Sequence, residues 1–412
     1  MTLNESHVSM PDPQTSIFYD LVKNDQIGHK IVCGVKFKKL NAKRMLKHMR
    51  ERMSETVQRY PHFSCRLIDH RWQRMPVNYK KLVVAQDRTH ADIINDLLNT
   101  PFEFGMPAWQ IILTNDKHLI LVCDHSYGDG AYMANCVAPL WFSDGSLADP
   151  PPKKEKKGLS FLSRIYIFLK VMFLLFMRFR TKSVACSKKV NNKQARLACF
   201  SLEKLNNIRA QMGKDGLKPS MNDLLHTLIV KTLGLYLKKD IISSAAMFNT
   251  RENIADLTQN NKLGYILLAN KVKDTAASSE VLADVRTFMQ FYKQTPITFM
   301  IPQALQWYYM IDHEGAVALM RRLNNSVDFL ISNYVIPYKG KEMYEGAEID
   351  NIFSTVTPCD ASRLFSIITY GDNINLFFTY NADTMPDIDV FQKHFGEACE
   401  WIVRDLAWAS LK

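Results

Sequence analysis

The chain has 412 residues, of which 47% are hydrophobic and 23% are charged. A chain of this length exceeds what one hydrophobic core usually supports, and its composition excludes a disordered or fibrous protein, so we expect two globular domains. The formal net charge of +11 predicts attraction of anions such as nucleic acid, anionic lipid or a nucleotide-bearing thioester.

The cysteines and the N-terminus indicate a reducing compartment. The eight cysteines lie far apart, with no pair at CxxC spacing and no histidine that completes a metal-ligand pattern, so we interpret them as free thiols. The N-terminal segment is polar and lacks the basic start and apolar run of a secretory signal. These features predict a cytoplasmic protein.

Strands alternate with helices in the first third of the chain. The pattern predicts a strand at 31–38, helices at 41–60 and 91–99, and a strand at 117–124. The last of these is a nearly unbroken apolar run, which is expected of a strand buried on both faces. A further helix is predicted to begin near Asp129.

The composition changes abruptly at 144–157, where three consecutive prolines precede a charged run. Neither a helix nor a central strand continues through such a segment. We therefore predict an N-terminal domain over 1–143, a linker over 144–193 and a C-terminal domain over 194–412.

Within the linker, the segment 159–182 is apolar with a narrow basic stripe. Arg164, Lys170 and Arg178 interrupt it before the roughly 20 apolar residues that a membrane-spanning helix needs. Such a helix suits the surface of a membrane or lipid droplet, with basic side chains toward the headgroups. The alternatives are a buried helix that clamps the two domains and a transmembrane span.

A second α/β pattern occupies the rest of the chain. The predicted helices cover 202–212, 222–238, 279–293 and 389–407. The predicted strands cover 195–201, 245–249, 265–271, 329–333, 351–357, 364–370 and 374–380. The turn-forming residues 371–373 predict a hairpin between the last two strands. His226 lies among apolar residues, and we interpret it as a core histidine.

A candidate catalytic histidine follows the apolar strand at 117–124. His125 stands at its end, and Asp129 and Gly130 come shortly after. A neutral imidazole, whose pKa is ordinarily about 6.5, can accept a proton from an alcohol and deliver it to a departing thiol. Asp129 can hold the loop in shape, and Gly130 permits a tight turn into the next helix. By itself this spacing is a weak signal, because it also occurs by chance.

Further short motifs occur in order along the chain. Met-Pro-Ala-Trp at 106–109 precedes the apolar strand, and Asn-Asp at 222–223 opens a long helix. A glycine-containing strand lies at 260–268, and Ser-Asn precedes a proline at 331–340. With the histidine motif at 125–130, this order resembles the chloramphenicol-acetyltransferase-like superfamily, and within it the wax ester synthase/diacylglycerol acyltransferase family.

The resemblance implies an α/β fold of two chloramphenicol-acetyltransferase-like domains, with mixed sheets flanked by helices and a catalytic tunnel between the domains. His125 matches the catalytic base, and Asp129 and Gly130 match structural positions of the H-H-x-x-x-D-G motif. Arg251 is either the distant arginine that pairs with Asp129 or a solvated surface arginine. The implied candidates for substrate binding are Trp109, Asn222, Asp223, Ser332 and Asn333.

Asp124 stands where the family has the first histidine of its motif. A carboxylate close to His125 would favour the imidazolium and weaken the base, unless the two side chains diverge as neighbours on a strand do. We therefore expect Asp124 to face away from His125.

These features predict an O-acyltransferase that moves a fatty acyl group from acyl-CoA to a lipid-like alcohol, either a fatty alcohol or diacylglycerol. The alcohol attacks the thioester directly, so neither a metal nor a bound cofactor is expected. Nucleic acid is not an expected partner, because the basic runs at 153–157 and 188–193 lack interleaved aromatic residues. One alternative is a non-catalytic relative that binds a lipid or acyl-CoA. Another is an amide-forming condensation enzyme that acts on carrier-bound substrates.

Overall fold

The computed structural model describes the chain in ten segments. These segments are 11–22, 28–142, 192–214, 218–251, 260–272, 278–294, 297–336, 341–344, 346–357 and 363–409. The predicted surface helix at 159–182 lies outside the described residues. The division into 1–143, 144–193 and 194–412 stays a prediction.

Helices and strands alternate along most of the described chain. The strands are β1 (Lys30–Lys39), β2 (Cys65–Ile68), β3 (Arg71–Arg74), β4 (Val83–Ala85), β5 (Trp109–Leu113), β6 (His118–Asp124), β7 (Lys193–Ser201), β8 (Ile241–Asn249), β9 (Leu263–Lys271), β10 (Phe329–Val335), β11 (Glu348–Val356), β12 (Arg363–Tyr370) and β13 (Asn373–Asn381). The helices are α1 (Pro13–Val22), α2 (Ala42–Arg59), α3 (Tyr79–Leu82), α4 (His90–Asn99), α5 (Gly130–Trp141), α6 (Leu202–Lys214), α7 (Met221–Leu237), α8 (Ser278–Gln294), α9 (Ile297–Ile311), α10 (His313–Asn325) and α11 (Ile388–Ala409).

A five-stranded mixed sheet, sheet 1, lies at the centre of the first half of the chain. Its strand order is β11-β1-β6-β5-β4. β1 pairs antiparallel with β6 on one side and with β11 on the other, and β4 pairs parallel with β5. Because β11 comes from the second half of the chain, residues far apart in sequence complete this sheet.

β6 is buried on both faces, as its apolar run predicts. Leu119 and Leu121 belong to a core that includes α2, whereas Ile120 and Val122 belong to a second core against α4. Successive side chains of a strand point to opposite faces, so the sheet separates the two helices. This sandwich holds the end of β6, and the residue after it, in a fixed position.

A six-stranded mixed sheet, sheet 2, forms the second half with the order β7-β13-β12-β10-β8-β9. β10 lies parallel to β8 and β12, and the other neighbours are antiparallel. Helices α7, α8 and α11 pack on this sheet through a shared apolar core. The predicted hairpin is confirmed, because β12 and β13 pair around Gly371, whose φ of 54° suits glycine.

Residues from the other half of the chain bond to an edge of each sheet. Asn99 of α4 donates to the carbonyl of Lys193 over 2.7 Å and accepts from its backbone N–H over 2.8 Å. Asn95, one turn earlier, accepts from the N–H of Ala195 over 3.0 Å. These two side chains bond the backbone groups of Lys193 and Ala195 at the outer edge of β7, where no neighbouring strand would pair with them.

The sequence did not predict α1, β5 or the helix pair α9 and α10. β5 is only five residues long, and α9 contains Pro302, which interrupts a helical pattern. The strand predicted at 245–249 begins earlier, at Ile241.

His226 is a fully buried histidine of α7, and its Nε2 lies 3.1 Å from the hydroxyl of Ser244. Burial lowers the pKa of His226 to about 4. Below a pH of about 6.5 the unfolded chain binds a proton that the folded chain does not. The free energy of unfolding should therefore fall between pH 6.5 and pH 4, by up to about 1.4 kcal/mol per pH unit for this group.

The variant His226→Gln can keep the contact with Ser244 but has no titrating group. Urea unfolding at several pH values should show a shallower loss of stability below pH 6.5 for His226→Gln than for the unmodified chain. Equal pH dependence in the two proteins would refute this account of His226.

Candidate active site

His125 begins a short 3₁₀ turn, His125–Tyr127, directly after β6. Its backbone N–H donates to the carbonyl of His29 over 2.7 Å, and its side chain is buried. The phenolic oxygen of Tyr127 accepts from the N–H of Ala108 over 2.9 Å. These bonds fix the turn to the residue before β1 and to the segment before β5. The backbone that carries the imidazole is therefore held on both sides.

Asp124 serves the turn rather than the ring of His125. Its carboxylate accepts from the N–H of Ser126 over 2.9 Å. The alternation of β6 puts Asp124 on the side of Val122, whereas His125 and Leu121 line one cavity. The carboxylate that replaces the family's first histidine therefore acts as the cap of the 3₁₀ turn.

Two aromatic rings lie against the imidazole of His125. The ring of His29 is stacked on it with centroids 4.4 Å apart and an angle of 6° between the planes. The ring of Phe18, from α1, lies 4.8 Å away at 36°. No local pattern identifies His29, because its position follows from the pairing of Lys30 with Asp124 across β1 and β6.

Burial controls the protonation of both histidines. It lowers the pKa of His125, while the carboxylates of Asp129 and Asp124 partly oppose this shift. The pKa of His29 is held well below its ordinary value by burial, and then by the charges of His125 and Lys193. Both imidazoles are therefore neutral at pH 7, which is the form that can accept a proton.

The carboxylate of Asp129 is buried in an ion pair with Arg251. Nη1 of Arg251 lies 2.9 Å and 2.7 Å from the two carboxylate oxygens, and both side chains are almost completely buried. The carboxylate also accepts from the N–H groups of Tyr132 and Lys262 over 2.9 Å and 2.8 Å. Arg251 is thus an interior residue and not a solvated surface arginine. Asp129 fastens the loop after β6 to the second half of the chain.

Asn261 makes a second link between the halves at the same place. Its amide nitrogen donates to the carbonyl of His125 over 3.1 Å and to the hydroxyl of Thr15 over 2.9 Å. Asn261 lies within the glycine-containing segment 260–268, but sequence reasoning did not single it out. Its role depends on α1, which the sequence did not predict.

The tight turn predicted at Gly130 lies at Gly128 instead. Gly128 has a φ of 152°, and a side chain there would meet Tyr132 at 2.4 Å. Gly130 has no positive φ, and a Cβ added to it would meet nothing within 4 Å. The prediction for Gly130 was wrong in this respect, because the sharp turn comes before α5 and not at its first residue. Gly130 instead lines the cavity beside His125.

A cavity of about 190 Å³ lies between the two sheets and reaches His125. Most of its lining is apolar, from β1, β6 and α5 of the first half and from β10 and β12 of the second. Representative lining residues are Ile31, Leu121, Met133, Leu330 and Leu364. The cavity occupies the interdomain space in which a tunnel is expected, and the tunnel itself stays a prediction.

The substrate-binding candidates occupy different places. Ser332 of β10 lines the cavity, but Asn333 does not, and its amide donates instead to the amide oxygen of Asn222. Asp223 closes a capping box at the start of α7, where it accepts from the N–H of Ser220 over 2.7 Å. Trp109 is buried in the core of sheet 1 and donates from Nε1 to the carbonyl of Phe63 over 2.8 Å. The structure therefore brings Ser332, but not the other four, to the cavity of His125.

The sequence of the second half matches the family profile described as the WS/DGAT C-terminal domain, over residues 259–402. By sequence, this C-terminal region is similar to the wax ester synthase/diacylglycerol acyltransferase (WS/DGAT) family. The matched region contains Asn261 and Ser332, two of the residues that border or support the site. Comparison with curated protein sequences gives no match.

Several solved structures share the fold. The wax ester synthase/diacylglycerol acyltransferase from Marinobacter aquaeolei VT8 is similar over 97% of this chain and 100% of its own, with a TM-score of 0.61 and 11% identity. Trichothecene 15-O-acetyltransferase from Fusarium sporotrichioides is similar over 94% of each chain, with a TM-score of 0.69 and 12% identity. Polyketide synthase associated protein 5 from Mycobacterium tuberculosis is similar over 89% of this chain and 93% of its own, with a TM-score of 0.56 and 11% identity.

These likenesses confirm the predicted fold, with its two mixed sheets flanked by helices. The matched profile is that of an acyltransferase family, and the fold is shared with acyltransferases of known structure. Within the ten segments that the structure describes, every helix is too short or too polar to cross a membrane.

The buried ion pair makes a testable contribution to stability. Replacing Arg251 with methionine removes the cation and leaves the carboxylate of Asp129 buried without its partner. The expected loss in the free energy of unfolding is about 3–5 kcal/mol, measured by urea denaturation.

A surface ion pair provides the matched control. Lys38 lies 2.8 Å from the carboxylate of Glu348 at the solvent-exposed end of sheet 1, so Lys38→Met should change stability little. If Arg251→Met were no more damaging than Lys38→Met, the ion pair would not be the link described above.

Proposed function

We propose that this protein is an acyl-CoA-dependent O-acyltransferase that esterifies a lipid-like alcohol, with His125 as the general base. The observation that carries this proposal is a buried, neutral imidazole at the wall of an apolar cavity between the two sheets. A base in such a position can reach a hydroxyl group, while the apolar lining suits acyl chains.

In this reaction His125 carries one proton from the alcohol to the departing thiolate. His125 accepts the proton of the alcohol as its oxygen attacks the thioester carbonyl. When the carbon–sulfur bond breaks, the imidazolium returns that proton to the departing CoA thiolate. No external acid and no covalent acyl-enzyme are needed, and the base is neutral again at the end.

The charge and the lining suggest the two substrates. The net charge of +11 complements the phosphates of CoA. The apolar cavity favours a fatty acyl chain and an alcohol that is itself lipid-like, such as a fatty alcohol or diacylglycerol.

Ser332 is the substrate-binding candidate that borders the cavity, and we assign to its hydroxyl the hydrogen bond that stabilises the developing oxyanion. The segment 159–182 would bring the cavity to the surface of a membrane or lipid droplet.

The direct test measures thiol release from palmitoyl-CoA with hexadecanol or dioleoylglycerol added separately. His125→Ala should lower the acceptor-dependent rate by about 10²–10⁴-fold, because it removes the general base. The matched control is His394→Ala on α11, a partly buried histidine whose Nδ1 lies 2.9 Å from Glu397. That control should retain the unmodified rate.

Three outcomes separate the hypotheses. Release that survives in His125→Ala would contradict the assignment of the base. If the unmodified protein binds palmitoyl-CoA but releases no thiol with any acceptor, it is a non-catalytic lipid or acyl-CoA binding relative. If turnover requires a carrier protein bearing the acyl group, the protein is an amide-forming condensation enzyme.

The pH profile of kcat/KM tests the environment of His125. The base is active when neutral, and burial lowers its pKa, so the rate should stay high above pH 6.5 and fall at a lower pH. Asp124→Asn keeps an acceptor for Ser126 but removes a negative charge that raises the pKa of His125. This variant should move the acid limb to lower pH. A limb that stays in place or moves up would argue against His125 as the titrating group.

A further inference from the structure

A second group of histidines lies at the opposite end of β6. His118 is the first residue of this strand, Asp116 lies in the turn before it, and His90 is the first residue of α4. β6 has seven residues, so this group lies about 20 Å along the strand from His125. It is therefore separate from the proposed reaction.

The three side chains lie close together. Their potential ligand atoms all lie within 4.8 Å of one another. Nδ1 of His90 is 2.6 Å from one carboxylate oxygen of Asp116, and Nδ1 of His118 is 3.2 Å from the other. The two imidazole rings are stacked, with centroids 3.9 Å apart and an angle of 23°.

His118 supplies an independent indication of a ligand. Its side chain is only 6% exposed, yet among the described residues its Nδ1 has no partner with hydrogen-bond geometry. A buried imidazole whose Nδ1 lies 3.2 Å from a carboxylate without hydrogen-bond geometry has a nitrogen available to a metal ion.

We propose that His90, Asp116 and His118 bind one divalent transition-metal ion of the zinc class, through two imidazole nitrogens and one carboxylate oxygen. Two imidazoles and a carboxylate favour Zn²⁺, Ni²⁺ or Cu²⁺ over Mg²⁺ and Ca²⁺, which prefer oxygen ligands alone. The side chains of His90 and Asp116 are 27% and 31% exposed, so the ion enters from solvent and water completes its coordination. On binding, His90 takes up the tautomer that carries its proton on Nε2, which leaves the lone pair of Nδ1 for the metal.

The ion would join α4 and the β5–β6 turn, which are already in contact. Asp116 accepts from the N–H of His90 over 3.1 Å and from the hydroxyl of Thr114 over 2.6 Å. A metal at this point ties the first turn of α4 to the β5–β6 turn. The site therefore stabilises the fold around β6 and takes no part in acyl transfer.

The test uses the full chain, stripped with a chelator and titrated with Zn²⁺ against a chromogenic competitor. One Zn²⁺ per chain should bind, the melting temperature should rise, and Co²⁺ in its place should give the visible absorption of a low-coordinate site. His90→Gln and Asp116→Asn should each weaken Zn²⁺ binding by at least about tenfold. His118 is left intact, because replacing a buried residue can unfold the chain.

His70→Gln is the matched control. His70 is partly exposed beside Asp20, with Nε2 3.1 Å from its carboxylate, and lies outside the group of three. This variant should bind Zn²⁺ as tightly as the unmodified chain. The proposal fails if the folded chain shows no saturable binding in the micromolar range, or if His90→Gln and Asp116→Asn bind as the control does.

Discussion

The buried ion pair between Asp129 and Arg251 is the interaction on which the geometry of the site depends. Removing two charges from water is costly, so such a pair is stable only when every lone pair and N–H has a partner. Here the carboxylate also accepts from two backbone N–H groups, and Nη2 of Arg251 donates to the carbonyl of Asn260 over 3.0 Å. The loop after β6 is therefore fixed to the second half of the chain by bonds that leave it little freedom. His125 lies on that loop.

The surroundings of His125 are assembled from both halves as well. α1 contributes Phe18, the segment before β1 contributes His29 and the segment before β9 contributes Asn261. Together they exclude water from the imidazole, which keeps it neutral without any direct bond from Asp129. The acidic member of the motif thus positions the base through the backbone, and its charge affects the pKa only from a distance.

The sequence predicted the parts of this site that depend on local patterns. β6, the histidine at its end and the β12–β13 hairpin follow from a continuous apolar run and from turn residues that lie next to one another in the sequence. The stack of His29 on His125 could not be predicted, because it depends on the register between β1 and β6. For the same reason the metal-ligand group escaped notice, since His90 is brought to Asp116 only by the packing of α4.

The error about Gly130 has a different origin. Gly128 and Gly130 are both plausible turn glycines in the sequence, and only backbone angles distinguish them.

The substrate-binding candidates show the limit of a resemblance. Pairs such as Asn222-Asp223 and Ser332-Asn333 occur at helix caps and on sheet faces as well as in cavities, and side-chain direction decides which role applies.

The position of β11 in sheet 1 has a consequence for how the protein is made. The N–H of Lys30, at the start of β1, bonds to the hydroxyl of Thr357 over 3.2 Å, across a sequence separation of 327 residues. On the ribosome, β1 and β6 can pair early, but the outer edge of β1 remains open until nearly the whole chain has emerged. An open edge strand is a site for aberrant pairing, and contacts of such long range form slowly. Synthesis of this protein therefore includes a long interval in which the outer edge of β1 is open to pairing elsewhere.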